Sequence, residues 1–266
     1  MIYLINLAKI GKNLNYLWQK LVKILLLISL VFTTNCSVNN TNILDRTPEA
    51  QDPWENVNRG TFAFNEKFDK YLLAPLARGY RFVFPSEIRT GVRNFLSNLS
   101  EPWSSINSAL QGDLKNTGNT LARFAINSTV GLLGIFDVAT EIGFEKQKED
   151  FGQTLAVHGI GPGPYLVLPF LGPSTVRDAL GKVTSLYADP VTLALERNDK
   201  DEWVWIGMAL KGIDFREQNL EKIDNLNATS VDFYATLRSL YLERRSSMIR
   251  NQNIDKTDPF QDFDVE

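Results

Sequence analysis

Apolar residues recur along most of the chain at the spacing of an α-helix. They are three, four or seven positions apart within residues 54–71, and similar one-sided stripes occupy residues 88–99, 103–114, 176–187 and 230–249. This spacing places apolar side chains on one face of a helix. None of these segments has the ~20 consecutive apolar residues that a membrane-spanning helix needs. The pattern predicts a mainly α fold of short amphipathic helices.

The segment near residues 113–136 reverses this pattern. Its apolar residues cover most of the helix circumference, and its polar residues form one narrow stripe: Asn116, Asn119, Thr120, Arg123 and Asn127. Such a stripe has to face a polar partner or a wet cavity, because an unpaired buried charge is costly. Two interpretations stay open. Either Arg123 meets a carboxylate in the core, or the stripe lines a polar channel.

Glycine and proline interrupt the helical pattern in residues 158–174, which contain four of each. A regular helix cannot continue through such a segment. The run Tyr165–Leu168 is suited to a short strand, and the remaining positions are suited to turns. The sequence therefore predicts one small hairpin or irregular loop within the helical fold.

The N-terminus has the organisation of a bacterial lipoprotein signal. Four lysines and no acidic residue precede an apolar run at residues 24–32. Cys36, the single cysteine, follows this run. A basic region followed by a short apolar region is typical of a secretory signal. We expect residues 1–35 to be a signal peptide and Cys36 to be acylated, although Asn35 stands where Gly or Ala is usual. The alternative is an ordinary buried thiol at Cys36.

Removal of residues 1–35 would leave an acidic chain, with 24 basic and 31 acidic residues and a net charge of −7. That charge argues against a nucleic-acid partner. The composition predicts a flexible tether at residues 36–52, a single helical domain at 53–250 and an acidic disordered tail at 251–266. Asp52 and Pro53 are suited to the cap and first position of the first helix.

Recognisable catalytic motifs are absent from the sequence. It contains no G-x-S-x-G nucleophile elbow and no phosphate-binding P-loop. His158 is the single histidine, so the usual ligands of a transition metal are missing. We predict a protein that is not an enzyme and uses no cofactor or metal, with His158 in a structural role.

Four segments resemble the MlaA family of lipoproteins, also called VacJ. They read DPWENVNRGTFAFN, LSNLSEPWSSINSALQGD, LARFAINSTVGLLGIFDVA and EDFGQTLAVHGIGPGPYLVLPFLGPSTVRD, in the order of the family. The resemblance implies a ring of short amphipathic helices in the membrane plane around a polar channel. It also implies that Phe64 and Asn65 lie near the channel mouth, although Glu66 follows where relatives often carry an apolar residue. The hairpin loop would gate the channel, with Gly152 and Gly159 as candidate hinges.

The resemblance also implies a function. MlaA proteins are lipid-anchored at the periplasmic face of the outer membrane of Gram-negative bacteria, beside trimeric porins. They remove mislocalised phospholipid from the outer leaflet and pass it to a periplasmic lipid-carrier protein, which maintains lipid asymmetry. We therefore expect phospholipid, the inner leaflet, a trimeric porin and a periplasmic carrier as partners, and no nucleic acid. The alternative is a structural or adaptor lipoprotein that binds an envelope protein without transporting lipid.

Overall fold

The computed structural model of the chain describes residues 50–250. The predicted signal peptide, Cys36, most of the predicted tether and the acidic tail lie outside the described residues.

Helices dominate the described part of the chain, which confirms the mainly α prediction. Before the hairpin they are α1 (Glu55–Phe68), α2 (Ala74–Val83), α3 (Ser86–Asn98), α4 (Glu101–Leu110), α5 (Leu114–Thr129), α6 (Val138–Glu141) and α7 (Phe151–Val157). After it they are α8 (Val176–Ala188), α9 (Pro190–Arg197), α10 (Asp201–Gln218), α11 (Leu220–Thr229) and α12 (Phe233–Ile249). A π-helical segment, Asp69–Leu73, joins α1 to α2. Within residues 50–250, no helix combines the length and the apolar content that crossing a bilayer requires.

A two-stranded antiparallel hairpin interrupts the helices. It consists of β1 (Tyr165–Leu168) and β2 (Gly172–Thr175), with Leu168 opposite Gly172. Phe170 in the turn has a left-handed backbone with φ of 64°. The predicted strand is confirmed, and the second strand occupies residues that the glycine and proline content had assigned to turns.

A small aromatic core holds the hairpin against the two ends of the domain. Phe62 of α1 and Tyr234 of α12 pack edge to face with ring centroids 5.5 Å apart, and Tyr165 is fully buried beside them. Ala50 belongs to the same cluster and is 3% exposed. The tether prediction therefore needs a correction at its end, because the chain is already packed at residue 50.

Asp52 also differs from its predicted role. Helix α1 begins after Trp54, which makes no side-chain capping bond. The Asp52 carboxylate instead accepts hydrogen bonds from Asn58 Nδ2 at 2.8 Å and from the Tyr234 hydroxyl. Asp52 thus ties the start of the domain to α1 and α12 rather than capping a helix.

Helix α5 ends at Thr129, seven residues before the end of the segment that the apolar pattern predicted. Leu132 and Leu133 have φ of 50° and 62°, and Gly134 has φ of 92°. These left-handed conformations turn the chain out of the helix. Hydrogen-bonded turns hold the reversal, with Gly134 N donating to Asn127 O at 2.7 Å.

The interior of the domain is polar and much of its exterior is apolar. Among the described residues, 23 polar or charged residues are buried against 10 apolar ones. Large apolar side chains project outward on several helices, including Phe82 at 91% exposure and Trp205 at 65%. A water-soluble domain has the opposite tendency. The exposed apolar side chains therefore require an apolar environment around the domain.

Two glycines allow α7 and α8 to pack in direct backbone contact. A Cβ built on Gly181 would lie 2.6 Å from the Gly152 nitrogen and 3.1 Å from its Cα. Real Cβ atoms do not approach backbone this closely. The crossing of α7 and α8 therefore requires a residue without a side chain at position 181.

We predict that Gly181→Ala lowers the free energy of unfolding by about 1–3 kcal/mol, because the methyl group overlaps the α7 backbone. Urea denaturation of the purified protein in detergent, followed by circular dichroism, measures the change. Gly118→Ala in α5 is the matched control, since nothing lies within 4 Å of its added Cβ. Alanine is favoured over glycine in a helix, so this control should be at least as stable as wild type. Equal stability of Gly181→Ala and wild type would contradict the close crossing.

Candidate functional site

The polar stripe of α5 is buried inside the domain. Thr120 is 0% and Arg123 1% exposed, and Asn116 and Asn127 are also buried. Asn119 is half-buried and donates from Nδ2 to the Glu145 carbonyl at 2.6 Å. The stripe faces the partner elements α4 and α6, while the apolar side of α5 points outward. This orientation agrees with the inverted pattern in the sequence, because the polar side of α5 faces the neighbouring elements and its apolar side faces outward.

Arg123 is the centre of this buried stripe, and every part of its guanidinium group has an acceptor. Its Nε donates to Glu101 at 3.2 Å, and its Nη2 donates to both oxygens of Asp137 at 3.0 and 3.1 Å. Its Nη1 donates to Thr140 Oγ1 at 2.9 Å and to Phe144 O at 2.5 Å. One cation therefore joins α5 to α4, to α6 and to the segment that follows α6.

The pKa values of Glu101 and Asp137 are shifted in opposite directions by this environment. Burial raises the pKa of Glu101, although Arg123 acts in the opposite direction. Burial also opposes ionisation of Asp137, but hydrogen bonds from Thr140, Asn127 and Arg123 outweigh it and hold the Asp137 pKa below its usual value. These contacts match the interpretation in which Arg123 meets a carboxylate in the core. A channel-lining role for the stripe stays a prediction, and the burial of these side chains does not support it.

Phe64 and Asn65 hold the tip of the hairpin. The Asn65 amide donates to Leu168 O and accepts from Phe170 N, both at 2.9 Å. The Phe170 ring packs edge to face on Phe64 and Phe68, with centroids 5.2 and 4.9 Å away. The two predicted channel-mouth residues therefore clamp the hairpin turn to α1. Their position at a channel mouth stays a prediction.

Asn58 makes the equivalent contact two helical turns earlier on α1. Its Nδ2 donates to Tyr165 O at 3.1 Å, and its Oδ1 accepts from Val167 N at 2.9 Å. Because residues seven apart lie on the same side of a helix, Asn58 and Asn65 both face the unpaired edge of β1. Sequence reasoning did not identify Asn58, although the seven-residue interval between two asparagines was the available signal.

The two predicted hinge glycines have separate structural roles. A Cβ on Gly152 would lie 2.5 Å from Arg245 Nη2 and 2.7 Å from Asp178 Oδ1. Gly159 follows the end of α7 with φ of 83°, and its nitrogen donates to Ala156 O at 2.9 Å. Gly152 therefore makes room for an ion pair, and Gly159 supplies a left-handed helix end. Hinge motion at either position stays a prediction.

An ion pair fixes the start of α7, and sequence reasoning missed it. Asp150 caps the helix by accepting from Gln153 N at 2.9 Å, and Gln153 Oε1 accepts from Asp150 N at 3.2 Å. Both terminal nitrogens of Arg245 bind the Asp150 carboxylate at 2.6 Å. The Arg245 Nη2 also lies 3.0 Å from Asp178. Arg245 therefore joins α12 to both α7 and α8.

Asp178, the second carboxylate that Arg245 contacts, has two further donors. It accepts from the Tyr241 hydroxyl at 2.6 Å and from Arg177 Nε at 3.1 Å. Burial opposes its ionisation, but the charges of Arg245 and Arg177 outweigh the burial and hold the Asp178 pKa below its usual value. Two arginines and the Tyr241 hydroxyl therefore compensate the Asp178 carboxylate.

A cavity of about 340 Å³ lies beside this ion pair, between α4, α8 and α12. Its walls combine aromatic, aliphatic and charged side chains: Trp103, Asp150, Asp178, Gly181, Lys182, Ser185, Tyr241, Arg244, Arg245 and Met248. The cavity thus has both an apolar and an ionic surface.

His158 lies at the end of α7. Its Nδ1 is 2.9 Å from the Thr154 carbonyl, to which a protonated ring nitrogen donates. This contact fits the structural role expected for the single histidine. Among residues 50–250, no group of three His, Cys, Asp or Glu residues is arranged to hold a metal ion.

The family model described as MlaA lipoprotein matches residues 50–248. The chain belongs to the MlaA family. Its relatives include the intermembrane phospholipid transport system lipoprotein MlaA of Escherichia coli, 34% identical over 73% of this chain and 76% of that protein. The Haemophilus influenzae lipoprotein of the same name is 31% identical over 82% and 86% of the two chains. A protein of Rickettsia prowazekii is 35% identical over 83% and 85%.

A solved structure of the MlaA type has the same fold. It superposes with a TM-score of 0.64 at 33% identity, covering 75% of this chain and 99% of the other. That structure was described as the structural basis for maintenance of bacterial outer membrane lipid asymmetry.

We predict that Arg123→Leu lowers the free energy of unfolding by about 3–5 kcal/mol, because it leaves the buried Glu101 and the partly buried Asp137 without their cation. Urea denaturation of the protein in detergent measures the loss. Arg78→Leu is the matched control, since the Arg78–Asp224 pair is solvent-exposed and should contribute about 0–1 kcal/mol. Similar losses in the two variants would contradict a structural role for the Arg123 network.

We predict that Asn65→Leu releases the hairpin turn, because Leu168 O and Phe170 N lose their partner. Amide hydrogen exchange of residues 165–175 should accelerate about tenfold or more, as expected when an orphaned polar group costs about 1–3 kcal/mol. Asn225→Leu, at an exposed position of α11, should leave the exchange unchanged. Equal protection of the hairpin in wild type and Asn65→Leu would refute the clamp.

Proposed function

We propose that this protein is an outer-membrane lipoprotein that removes mislocalised phospholipid from the outer leaflet and passes it to a periplasmic lipid-carrier protein. The action would maintain the lipid asymmetry of the outer membrane. Membership of the MlaA family supports the proposal, as do the names of the E. coli and H. influenzae relatives. The solved structure with the same fold was described in connection with outer membrane lipid asymmetry, which is the same process.

The observation that carries the proposal is the inverted polarity of the domain. Its buried residues are mostly polar, and apolar side chains such as Phe82 and Trp205 project outward. An amphipathic helix that is too short to span a bilayer can lie in the plane of one leaflet with its apolar face in the acyl region. We propose that the helices form a ring of this kind in the inner leaflet of the outer membrane.

This arrangement would lower the barrier to lipid movement. A phospholipid headgroup resists transfer through hydrocarbon, because desolvating a charge without a partner is costly. A polar path through the ring would receive the headgroup while the acyl tails stay in the surrounding lipid. The step needs no bond to form or break, so we propose transport without enzymatic chemistry.

The hairpin is the element that we propose as a gate for this path. Its tip is attached to α1 by Asn65 and by the packing of Phe64 on Phe170. Phe64 is 47% and Phe170 61% exposed, so the tip presents aromatic surface outward. In this proposal Gly152, in the first turn of α7, and Gly159, just after its end, act as hinges, and Phe64 and Asn65 lie at the mouth.

Anchoring and partners complete the proposal. Acylation of Cys36 would hold the domain at the periplasmic face of the outer membrane, since two or more acyl chains anchor a protein stably. A trimeric porin would adjoin the domain within the membrane, and a soluble carrier would collect the lipid. The adaptor alternative predicts a polar exterior, and the exposed apolar side chains count against it.

We predict that cells lacking this protein accumulate phospholipid in the outer leaflet. Labelling of intact cells with a membrane-impermeant amine reagent, followed by quantification of labelled phosphatidylethanolamine, measures it. Wild type should restore the low level, and Cys36→Ala should not, because the anchor is lost. Gly118→Ala is the matched control and should complement like wild type.

Two outcomes would contradict this account. An unchanged level of surface phospholipid in the deletion strain would overturn the transport proposal and favour the adaptor alternative. Equal complementation by wild type and Cys36→Ala would leave transport in place but remove Cys36 as the anchor.

A further inference from the structure

The cavity between α4, α8 and α12 combines an apolar wall with a cation. Trp103, Tyr241 and Met248 supply rings and a thioether, and Lys182 supplies an ammonium group. Ligand sites in proteins are commonly concave, mostly apolar and equipped with a few polar groups. The composition of this cavity therefore fits an amphiphile with a negatively charged group.

The carboxylates in the wall do not oppose an anion, because each has its own cation. Asp150 is bound by both terminal nitrogens of Arg245 at 2.6 Å. Asp178 is bound by Arg177 at 3.1 Å and by Arg245 at 3.0 Å. These two acids and two arginines cancel in charge. Lys182 and Arg244 also line the cavity and give its wall a net positive charge.

Lys182 itself has no carboxylate partner among the described residues. Its Nζ contacts only the Pro173 carbonyl at 3.3 Å and Ser174 Oγ at 3.4 Å, both long for hydrogen bonds to a cation. Burial lowers the pKa of Lys182, with Asp178 acting in the opposite direction. An anion in the cavity would supply the missing counter-charge.

Two residues of the cavity wall also carry a buried donor without an acceptor. Trp103 Nε1 and Arg245 Nε are buried and have no hydrogen-bond partner within residues 50–250. Unsatisfied buried donors are uncommon in folded proteins and call for an explanation. Both nitrogens are enclosed in the wall, so Lys182 is the donor that is available to a ligand.

We infer that this cavity binds the phosphate group of an anionic amphiphile, with Lys182 as its main cationic contact and Trp103 and Met248 against its apolar part. The volume of about 340 Å³ accommodates a headgroup rather than two acyl chains, since pockets for whole small ligands extend from ~300 to ~1,000 Å³. The shared chemistry is phosphate, and the source is either a phospholipid headgroup or the free ion. The apolar wall favours the lipid.

This inference rests on the proposed function, because it names the part of the transported lipid that the domain recognises. It assigns selectivity to the phosphate rather than to the acyl chains. A lipid without phosphate would then be a poor substrate.

Titration calorimetry on the purified mature protein in detergent tests the inference. The probes are dihexanoylphosphatidylglycerol, dihexanoylglycerol and sodium phosphate. The phospholipid should bind saturably, and Lys182→Gln should weaken binding about tenfold or more, as loss of a charge-assisted hydrogen bond implies. Lys182→Arg should stay close to wild type. The matched control Lys115→Gln removes an exposed lysine of α5 and should have no effect.

The outcomes distinguish a phospholipid headgroup from free phosphate as the ligand. They also distinguish failure of the phosphate site from failure of the proposed transport function. Binding of sodium phosphate that depends on Lys182 as strongly as phospholipid binding supports the phosphate site and assigns it to the free ion. Unchanged phospholipid binding in Lys182→Gln, or equally tight binding of dihexanoylglycerol, overturns the site. If Lys182→Gln does not fold, Ser185→Leu fills the cavity from the same helix, and full binding by that variant likewise overturns it. If binding depends on Lys182 but deletion of the protein leaves surface phospholipid unchanged, the proposed function is refuted and the phosphate site is retained.

Discussion

The pairing of buried charges is the constraint on which the rest of this structure depends. A buried charge is tolerated only with a partner and with its hydrogen bonds satisfied. Arg123, Arg216 and Arg245 are each paired with two carboxylates on other elements or turns. Because these ion pairs take the place of a large apolar core, apolar side chains are left for the exterior. The inverted polarity of the domain is therefore a consequence of how its helices are joined, and it is the property that an in-plane position in a lipid leaflet requires.

The need for buried polar groups to have partners also determines how the hairpin and α7 are attached. Backbone groups on the outer edge of β1 need partners, and the side-chain amides of Asn58 and Asn65 supply them. Just before the hairpin, α7 is fixed at its start by Asp150 and Arg245, and the glycine at position 152 lets that ion pair approach the backbone. The segment between these two attachments is therefore held at both ends by polar contacts, each of which a single substitution removes. This is the physical basis on which we propose the hairpin as a movable element and the neighbouring cavity as a headgroup site.

Secondary-structure elements could be predicted from the sequence better than the side-chain contacts between them. Helical periodicity and the inverted stripe of α5 were readable, because both are local properties of spacing. The strand Tyr165–Leu168 stood out because proline and glycine surround it. The partners of Arg123 and Arg245 were not readable, since Arg245 and Asp150 are 95 positions apart and many acids could have served. The turn after Thr129 was missed because leucines carry its left-handed conformations, which apolar residues seldom adopt.

The central claim is that the apolar exterior lies within one leaflet, and tryptophan quenching by brominated phospholipids tests it most directly. The protein would carry Trp205 as its single tryptophan, a residue 65% exposed on α10, and would be reconstituted into vesicles. The account predicts strong quenching by bromines near the lipid carbonyls and weaker quenching by bromines near the ends of the acyl chains. Full quenching by aqueous iodide, with none by any brominated lipid, would contradict it.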